Sequence, residues 1–379
     1  MKAKSIKGQN SDEISDALKE SISDGYKPTL AFLFITSVAN ATPVCELLDE
    51  EGIGVFGIST SEKFTEDGMQ QDDIVALLLD IDPACFKIVL KDFNEFVPHE
   101  CARQTGTIGL EAFNNPGFII SAADIKMGGE DLIDGLMETV GAEVTVMGGV
   151  AGNPVDFSGI VFTNNASSTS GLLTLIIDQD KIAITGLAVS GWKPAGTLKK
   201  ITKSEGFWIQ TIDDEPAMNV LQKFLGNEII NFNNAPQGLL PVDIGYPLQF
   251  QRKSGTPIMR PVLLWNTDDK SIMVGGQIKE TENFRFSLPP DFDAIDTVIE
   301  STRMMKEKAM PEADALLVFS CVGRLGSFGP MISAEIEGLA ATWNRPMIGF
   351  FSLGEFGKLE DSQCEFHGTT VSWVALKEK

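Results

Sequence analysis

The stretch Ala315-Leu316-Leu317-Val318-Phe319-Ser320-Cys321 opens the segment that decides the fold, and Ile348-Gly349-Phe350-Phe351-Ser352-Leu353-Gly354-Glu355 closes it. Both runs are apolar, which predicts two buried strands, and the second run ends in a glycine-rich turn. Leu316 and Gly349 are 33 residues apart, close to the ~30 residues of a strand–helix–strand crossover. The segment therefore predicts two neighbouring strands joined by a helical stretch.

The same plan occurs twice more along the chain. Residues 30–62 and 117–153 each begin with an apolar strand and end in a turn, with 27 and 30 residues between the strand start and the turn glycine. If the three segments are equivalent, Gly57, Gly148 and Gly349 lie at corresponding strand ends. Open α/β sheets place their ligands at such ends.

Further apolar runs predict antiparallel strands beside these crossovers. We therefore expect an α/β protein of two domains, whose mixed sheets combine repeated strand–helix–strand units with antiparallel strands. The additional strands are expected at residues 73–80, 159–163, 171–177, 181–189 and 370–376.

Polar and turn-forming residues indicate how the chain divides. Residues 10–25 predict an amphipathic helix that Ser11 caps. Asparagine, proline and glycine concentrate between residues 227 and 241, which marks the expected domain boundary. We expect an N-terminal helical extension at 1–29, an N-terminal domain at 30–228 and a C-terminal domain at 229–379.

The composition limits the classes of partner and location. The 379 residues are 43% hydrophobic and 22% charged, as in folded soluble proteins. A net charge of −23 repels phosphate backbones and anionic lipids, which argues against nucleic-acid and membrane partners. Residues 1–24 lack the apolar segment of a signal peptide, so we expect a cytoplasmic protein. The widely spaced cysteines predict free thiols at Cys45, Cys85, Cys101, Cys321 and Cys364.

No catalytic or metal motif stands out in the sequence. The chain has two histidines, too few for a multi-histidine metal site, and it lacks nucleophile-elbow and glycine-rich phosphate-loop patterns. We therefore expect a protein that is not an enzyme. A hydrolase or transferase that uses Ser59, Ser352 or Cys321 as nucleophile is an alternative, and a base hydrogen-bonded to one of these groups would favour it.

Charged residues occur at the mouth of the third crossover. Arg324 follows its first strand and Glu355 ends its second, so the crossover brings the two together. Such a pair can hold the carboxylate and ammonium groups of a zwitterion. Alternatively, the two side chains form a structural ion pair that closes the turn. His367 enters the last predicted strand, where it either bonds to backbone or contacts a ligand or haem iron.

Short segments from both halves of the chain resemble one known family. In the first half they are Gly149-Val150-Ala151-Gly152, Gly191-Trp192-Lys193-Pro194, Ile201-Thr202-Lys203 and Ile212-Asp213-Asp214-Glu215-Pro216-Ala217. In the second half they are Tyr246-Pro247-Leu248, Arg260, Phe319-Ser320-Cys321 with Arg324, Gly349 to Glu355, and Phe366-His367-Gly368-Thr369-Thr370. Together, and in this order, they resemble the FIST family of bacterial sensory proteins, with its N-terminal and C-terminal FIST domains.

The resemblance implies a small-ligand sensor in signal transduction, with an amino acid or similar metabolite as ligand. It implies output through a separate partner, a histidine kinase or a cyclic-dinucleotide enzyme, since we expect no fused output segment. A haem-binding nitric oxide sensor, with His367 as iron ligand, is the implied alternative; otherwise we expect no cofactor and no metal. Ile58-Ser59-Thr60-Ser61-Glu62 and Gly368 depart from the family pattern and leave the ligand open. The expected ligand-binding residues are Arg324, Glu355, Ser352, Ser59, Glu62 and His367.

Overall fold

The computed structural model describes residues 1–123, 128–155, 157–226, 239–241, 245–252, 255–288, 290–360 and 362–379. The helices are α1 Ser11–Ile22, α2 Ala41–Glu50, α3 Pro98–Ala112, α4 Gly129–Val140, α5 Ala217–Leu225, α6 Phe292–Lys308, α7 Val322–Phe328 and α8 Ile332–Trp343. The strands are β1 Ala3–Gly8, β2 Leu30–Ile35, β3 Gly54–Ser59, β4 Lys63–Thr65, β5 Gly68–Gln70, β6 Ile74–Leu79, β7 Phe86–Asp92, β8 Pro116–Ala122, β9 Val146–Val150, β10 Val161–Phe162, β11 Ser167–Ser168, β12 Gly171–Asp178, β13 Ile182–Val189, β14 Pro194–Glu205, β15 Trp208–Ile212, β16 Glu215–Pro216, β17 Leu239–Pro241, β18 Leu248–Phe250, β19 Ile258–Arg260, β20 Val262–Asn266, β21 Ile272–Val274, β22 Asn283–Ser287, β23 Ala315–Cys321, β24 Met347–Ser352, β25 Glu355–Lys358, β26 Cys364–His367 and β27 Val371–Glu378.

Three six-stranded sheets in the described residues share one plan. Their strand orders are β1-β6-β2-β3-β10-β11, β7-β12-β8-β9-β25-β26 and β13-β27-β23-β24-β4-β5. The third and fourth strands of each order run parallel and are joined by helices. We name these crossovers the first unit (Leu30–Ser59), the second unit (Pro116–Val150) and the third unit (Ala315–Ser352). The predicted α/β class with mixed sheets and repeated crossovers is confirmed.

Each sheet is completed by a hairpin from a different unit. Hairpin β4–β5 follows the first unit in sequence but pairs with β24 of the third. Hairpin β10–β11 follows the second unit and pairs with β3 of the first. Hairpin β25–β26 follows the third unit and pairs with β9 of the second. The three units therefore exchange hairpins in a closed cycle.

The repeated glycines lie inside the second strand of each unit, so their predicted position at strand ends is wrong. Each is opposite a phenylalanine of the exchanged hairpin: Gly57 opposite Phe162, Gly148 opposite Phe356 and Gly349 opposite Phe64. A Cβ would lie 2.1 Å from the Phe162 ring at Gly57 and 2.2 Å from the Phe64 ring at Gly349. At Gly57 and Gly349 the strand continues through glycine because the aromatic ring fills the space that a side chain would take, whereas at Gly148 a Cβ would lie 1.9 Å from the Ile120 carbonyl oxygen.

The apolar core has an inner part and outer parts. Phe34, Ile119 and Phe319, one from each sheet, belong to a single buried cluster between the sheets. Helices cover the outer faces, with α1 and α2 on the first sheet, α3 and α4 on the second, and α6 and α8 on the third. Strands of the units read as continuous apolar runs because both faces are buried.

The N-terminal helix differs from its prediction at both ends. It begins at Ser11 and ends at Ile22. Asn10, not Ser11, caps it, because the Asn10 side chain accepts a hydrogen bond of 3.0 Å from the backbone N–H of Glu13. Strand β1, which the sequence did not predict, precedes the helix and pairs with β6.

A fourth sheet lies between β13 and α6 in sequence. Its nine strands follow the order β17-β20-β21-β15-β14-β22-β18-β19, with β16 beside β15. Helix α5 packs against this sheet, and together they form a separate buried apolar cluster. The third of the six-stranded sheets draws strands from before residue 228 and after residue 229. The predicted boundary at 228/229 lies outside the described residues and stays a prediction.

Candidate functional site

An apolar cleft runs between hairpin β20–β21 of the fourth sheet and the end of β23. It consists of two adjoining cavities of about 330 and 380 Å³. We name this space the cleft. The residues that line it are Pro154, Val155, Phe157, Phe207, Pro261, Leu263, Leu264, Met273, Val274, Gly275, Gly276, Cys321, Val322, Gly323, Leu353, Phe366 and Gly368. Such a concave, largely apolar space is typical of small-molecule sites.

Cys321 is the thiol that lines the cleft. It is the last residue of β23, and its parallel partner across the sheet is Ser352. The backbone N–H groups of Gly323 and Thr369 and the carboxyl group of Glu355 lie close enough to its sulfur to shift the pKa of the thiol. Burial, and then the nearby charge of Glu355, raise the pKa of the Cys321 thiol.

Glu355 is a fully buried carboxyl group beside this thiol. Its Oε1 accepts a hydrogen bond of 2.6 Å from Ser352 Oγ, and its Oε2 accepts one of 3.3 Å from the backbone N–H of Thr370. Burial raises its pKa well above the usual value, although these hydrogen bonds and Arg324 oppose the shift. The structure thus brings together Ser352 and Glu355, as predicted, and adds Cys321 to them.

Arg324 does not pair with Glu355, so the interpretation of the two as an ion pair is wrong. Its Nε donates to Glu335 Oε1 at 3.1 Å, and its Nη2 donates to Glu335 Oε2. The Ser190 carbonyl accepts from Nη1 at 2.6 Å, and the guanidinium lies 5.0 Å from the Trp192 ring. Because the side chain is fully buried and its donors are used, it is not free to hold a ligand carboxylate.

The sequence contains an indication that Arg324 has a buried partner, and the prediction did not use it. Glu335 is an acid on the buried face of α8, among Ile332, Ile336 and Leu339. A lone charge at helical spacing within an apolar stripe is costly unless it is paired. That pattern predicts a buried cationic partner, without identifying Arg324.

His367 is held by the backbone in the structure. Its ring is fully buried, Nε2 lies 3.0 Å from the Gly357 carbonyl oxygen, and Nδ1 is buried without a partner. Burial lowers the pKa of His367 to about 3. Haem does not fit this histidine, because an axial ligand needs a free ring nitrogen that faces an open cavity.

Ser59 and Glu62 lie at the end of the first unit. The Ser59 hydroxyl accepts a hydrogen bond of 2.9 Å from the backbone N–H of Ile160. The Glu62 backbone carbonyl accepts one of 3.0 Å from the N–H of Phe351, next to Ser352. Both residues therefore fix backbone segments where two units meet, and their roles as ligand contacts stay predictions.

A further cavity, of about 290 Å³, adjoins the cleft, because Phe366 lines both. We name it the charged pocket. Arg260 is buried in its wall and donates to Glu130 Oε1 at 2.7 Å and to the Phe366 carbonyl at 2.6 Å. Glu130 Oε2 is buried and has no hydrogen-bond partner. The other charged residues of the pocket are Asp134, Arg252, Lys279, Glu282 and Glu365.

Sequence reasoning missed the charged pocket because its walls come from distant segments. Glu130 is in the first turn of α4 and Arg260 ends β19. Their contact spans 130 positions, so no local pattern could predict it. Arg260 appeared in the sequence as a family landmark alone.

The enzyme alternative receives one of its expected features. Glu355 is hydrogen-bonded to Ser352 and lies beside Cys321, and these are two of the three nucleophiles considered. Burial favours the protonated forms of both the carboxyl and the thiol, so neither a free base nor a thiolate is ready in this state.

The described residues contain no group of three or more His, Cys, Asp or Glu side chains placed to hold a metal ion. Among the helices of the described ranges, none has the length and apolar character needed to cross a bilayer.

The chain matches two family models. Residues 29–215 match the FIST N domain, and residues 217–358 match the FIST C domain. FIST domains are associated with small-ligand sensing in signal transduction. Among curated proteins, none matches the chain.

Proposed function

Because the chain belongs to the FIST family, we propose that it is a cytoplasmic small-ligand sensor whose ligand binds in the cleft and the adjoining charged pocket. The observation that carries this proposal is the shared wall at Phe366, which places an apolar space beside a charged one. A ligand with an apolar body and a charged head fits this pair of cavities.

An amino acid with an apolar side chain has this chemistry. Glu130 Oε2, a buried carboxylate oxygen without a partner, would accept the ammonium group. Lys279, an exposed cation at the same pocket, would pair with the carboxylate. These residues take the roles that were expected of Arg324 and Glu355, because Arg324 is already paired with Glu335.

Ligand binding would change the position of the fourth sheet relative to the three units, and this change would carry the signal. Leu263 and Met273 of the fourth sheet and Leu353 of the third unit's turn line the same cavity, so a bound ligand would fix them together. A ligand shifts such an equilibrium by its difference in affinity for the two states. We propose a separate output partner, a histidine kinase or a cyclic-dinucleotide enzyme, and neither nucleic acid nor membrane as partner.

Thermal melting and calorimetric titration with L-phenylalanine and L-leucine test the proposal. Binding at ~100 times the dissociation constant adds ~2.7 kcal/mol to the free energy of unfolding. Phenethylamine, which lacks the carboxylate, and the N-acetyl amino acids, which lack the ammonium, should bind more weakly.

Two variants locate the head group. We expect Lys279→Gln and Glu130→Gln to weaken binding of the amino acid, whereas Lys203→Gln, an exposed lysine of β14, leaves it unchanged. Equal binding by all three variants would contradict the assignment of the charged pocket. Melting of each variant without ligand separates loss of affinity from loss of fold.

The haem alternative has weaker support. It would require His367 to break its contact with the Gly357 carbonyl and to leave a fully buried position. No further observation favours it over the cleft.

A further inference from the structure

Because the three units share one architecture, an equivalent pair of residues occurs three times in the molecule, once for each unit. It combines the residue at the end of a unit's first strand (the last residue of β23, or the residue just after β2 or β8) with the first residue of the hairpin that follows that unit. By strand register the three pairs are Thr36 with Lys63, Ala123 with Val161, and Cys321 with Glu355. The middle pair belongs to the apolar core, so the fold itself does not require polar groups at this position.

Burying Glu355 at this position is unfavourable unless the carboxyl group has a use. It is fully buried, and the nearest cation, Arg324, is already paired with Glu335. Hydrogen bonds from Ser352 and Thr370 satisfy it in part but do not replace water around a charged carboxylate. The second unit has Val161 at the equivalent position, whereas the third unit places a carboxyl group there, beside a thiol.

The surroundings of the pair also leave hydrogen-bonding capacity unused. Thr369 is fully buried and its Oγ1 has no partner, although its backbone N–H lies close to the Cys321 sulfur. Buried hydroxyl groups are normally paired. Cys321 itself lines the apolar cavity of about 330 Å³, so a molecule in that cavity can contact the thiol.

We propose that Cys321 and Glu355 form a thiol-addition site that captures an apolar α,β-unsaturated aldehyde or ketone in the cleft. The sulfur forms a bond to the β-carbon of the ligand as the C=C electrons shift to the enolate. Glu355 acts as the neutral carboxylic acid: its carbonyl oxygen accepts the S–H proton while its own O–H proton is transferred to the ligand, where it ends on the α-carbon. The carboxyl group is unchanged, and neither an oxidant nor a leaving group is needed.

Glu355 explains how a buried thiol can react. Burial raises the pKa of Cys321, so thiolate is scarce and simple alkylation of this thiol is slow. A hydrogen-bonded carboxyl group that moves the proton during the addition removes that barrier. The cleft supplies the selectivity, because its walls accept apolar ligands and exclude polar reagents.

The test labels the full chain with trans-2-nonenal and, in parallel, with iodoacetamide, and maps the modified cysteines by mass spectrometry. We expect nonenal to modify Cys321 first. Iodoacetamide should modify Cys85 first, since Cys85 is the half-buried cysteine and the reagent is small and polar. Nonenal labelling that instead follows exposure, with Cys85 ahead of Cys321, would overturn the proposal.

Variants assign the role of the carboxyl group. Glu355→Gln should slow nonenal labelling of Cys321 by ~10²-fold with little change in iodoacetamide labelling at Cys85. The double variant Cys321→Ala with Glu355→Val, which installs the apolar pair of the second unit, should fold and lose the nonenal site. An unchanged nonenal rate in Glu355→Gln refutes the proton-transfer role.

This site goes beyond the proposed function, and the two can fail separately. Glu130→Gln should weaken amino-acid binding while nonenal labelling of Cys321 stays the same. Loss of labelling in Glu130→Gln, in a protein that still melts cooperatively, would contradict an independent thiol site.

Discussion

The first and third units place different polar pairs at the same position of the same architecture. In the first, the buried Lys63 ammonium donates to the hydroxyl of the exposed Thr36 at 2.5 Å. In the third, the buried Glu355 carboxyl group lies beside the Cys321 thiol, and Cys321 lines the cleft. The polar pair reaches the surface through Thr36 in one unit and reaches a cavity through Cys321 in the other.

The environments explain why both pairs are tolerated. Burial lowers the pKa of Lys63, while the charges of Asp73, Glu62 and Asp72 oppose that shift. Burial raises the pKa of Glu355, with Arg324 as an opposing charge. The repeated architecture fixes where a polar pair sits, and the neighbours decide which charge state is favoured.

The largest effect we expect concerns the buried ion pair between Arg324 and Glu335, which lies in the third unit with Cys321. Glu335→Ala leaves Arg324 buried without its carboxylate, which should reduce the free energy of unfolding by ~3–5 kcal/mol in urea titrations. Glu337→Ala, an exposed acid of the same helix, should change it by less than ~0.5 kcal/mol.

A ligand-anchoring role for Arg324 predicts the opposite pattern, with near-normal stability of Glu335→Ala. The double variant Arg324→Met with Glu335→Leu should recover much of the lost stability, since an apolar pair can replace a buried ion pair. A double variant no more stable than Glu335→Ala would contradict the structural role.

The next effect tests whether the units are equivalent. Gly349→Ala and Gly57→Ala should each destabilise by ~1–3 kcal/mol, because the added Cβ would meet the ring of Phe64 or Phe162. Gly326→Ala in α7 meets no atom within 4 Å and should be neutral or slightly stabilising. Chemical denaturation measures all three, and a neutral Gly57→Ala would break the equivalence of the first and third units.

The two polar pairs should respond to pH with opposite signs. The folded pKa of Glu355 is raised, so its contribution to stability is complete below its unfolded pKa of ~4.3 and is lost as pH rises through the folded value, by up to ~1.4 kcal/mol per pH unit. The folded pKa of Lys63 is lowered, so its contribution is present above its unfolded pKa of ~10.4 and is lost as pH falls through the folded value.

Urea titrations across pH check both signs. Glu355→Gln should flatten the decline above pH ~4.3, and Lys63→Met should flatten the rise toward pH ~10.4. Glu337→Gln is the control for an exposed carboxyl. Wild-type and Glu355→Gln profiles that run parallel would show that burial of Glu355 does not shift its titration.

The smallest expected effect is on haem. We expect the purified protein to be colourless and added hemin to give no Soret band that depends on His367, because the ring is buried and bonded to Gly357. Absorption spectra of wild type and His367→Ala, reconstituted side by side, measure this. A Soret band that shifts in His367→Ala would establish the haem alternative.

The sequence predicted the features that local patterns encode. Apolar runs such as Leu30–Ile35 and Ala315–Cys321 marked buried strands, and the crossover interval marked their parallel pairing. It could not predict that β4 pairs with β24, because that contact joins Phe64 to Gly349 and long-range pairing leaves no periodicity. The site residues were predicted least well, because Arg324 pairs with Glu335 and Glu130 pairs with Arg260 through contacts that form only in the folded chain.

The closed exchange of hairpins has a consequence for how the chain reaches its native state. Each six-stranded sheet needs strands from two units, and Met1 at one terminus contacts Glu378 near the other. Contact order is therefore high, and a high contact order slows folding. A fragment cut at residue 228 would leave β13 without β27 and β4 without β24. We expect the three crossovers to form one cooperative folding unit, although the first sheet is complete at Ser168, because the second and third sheets cannot close until hairpin β25–β26 and strand β27 have been synthesised.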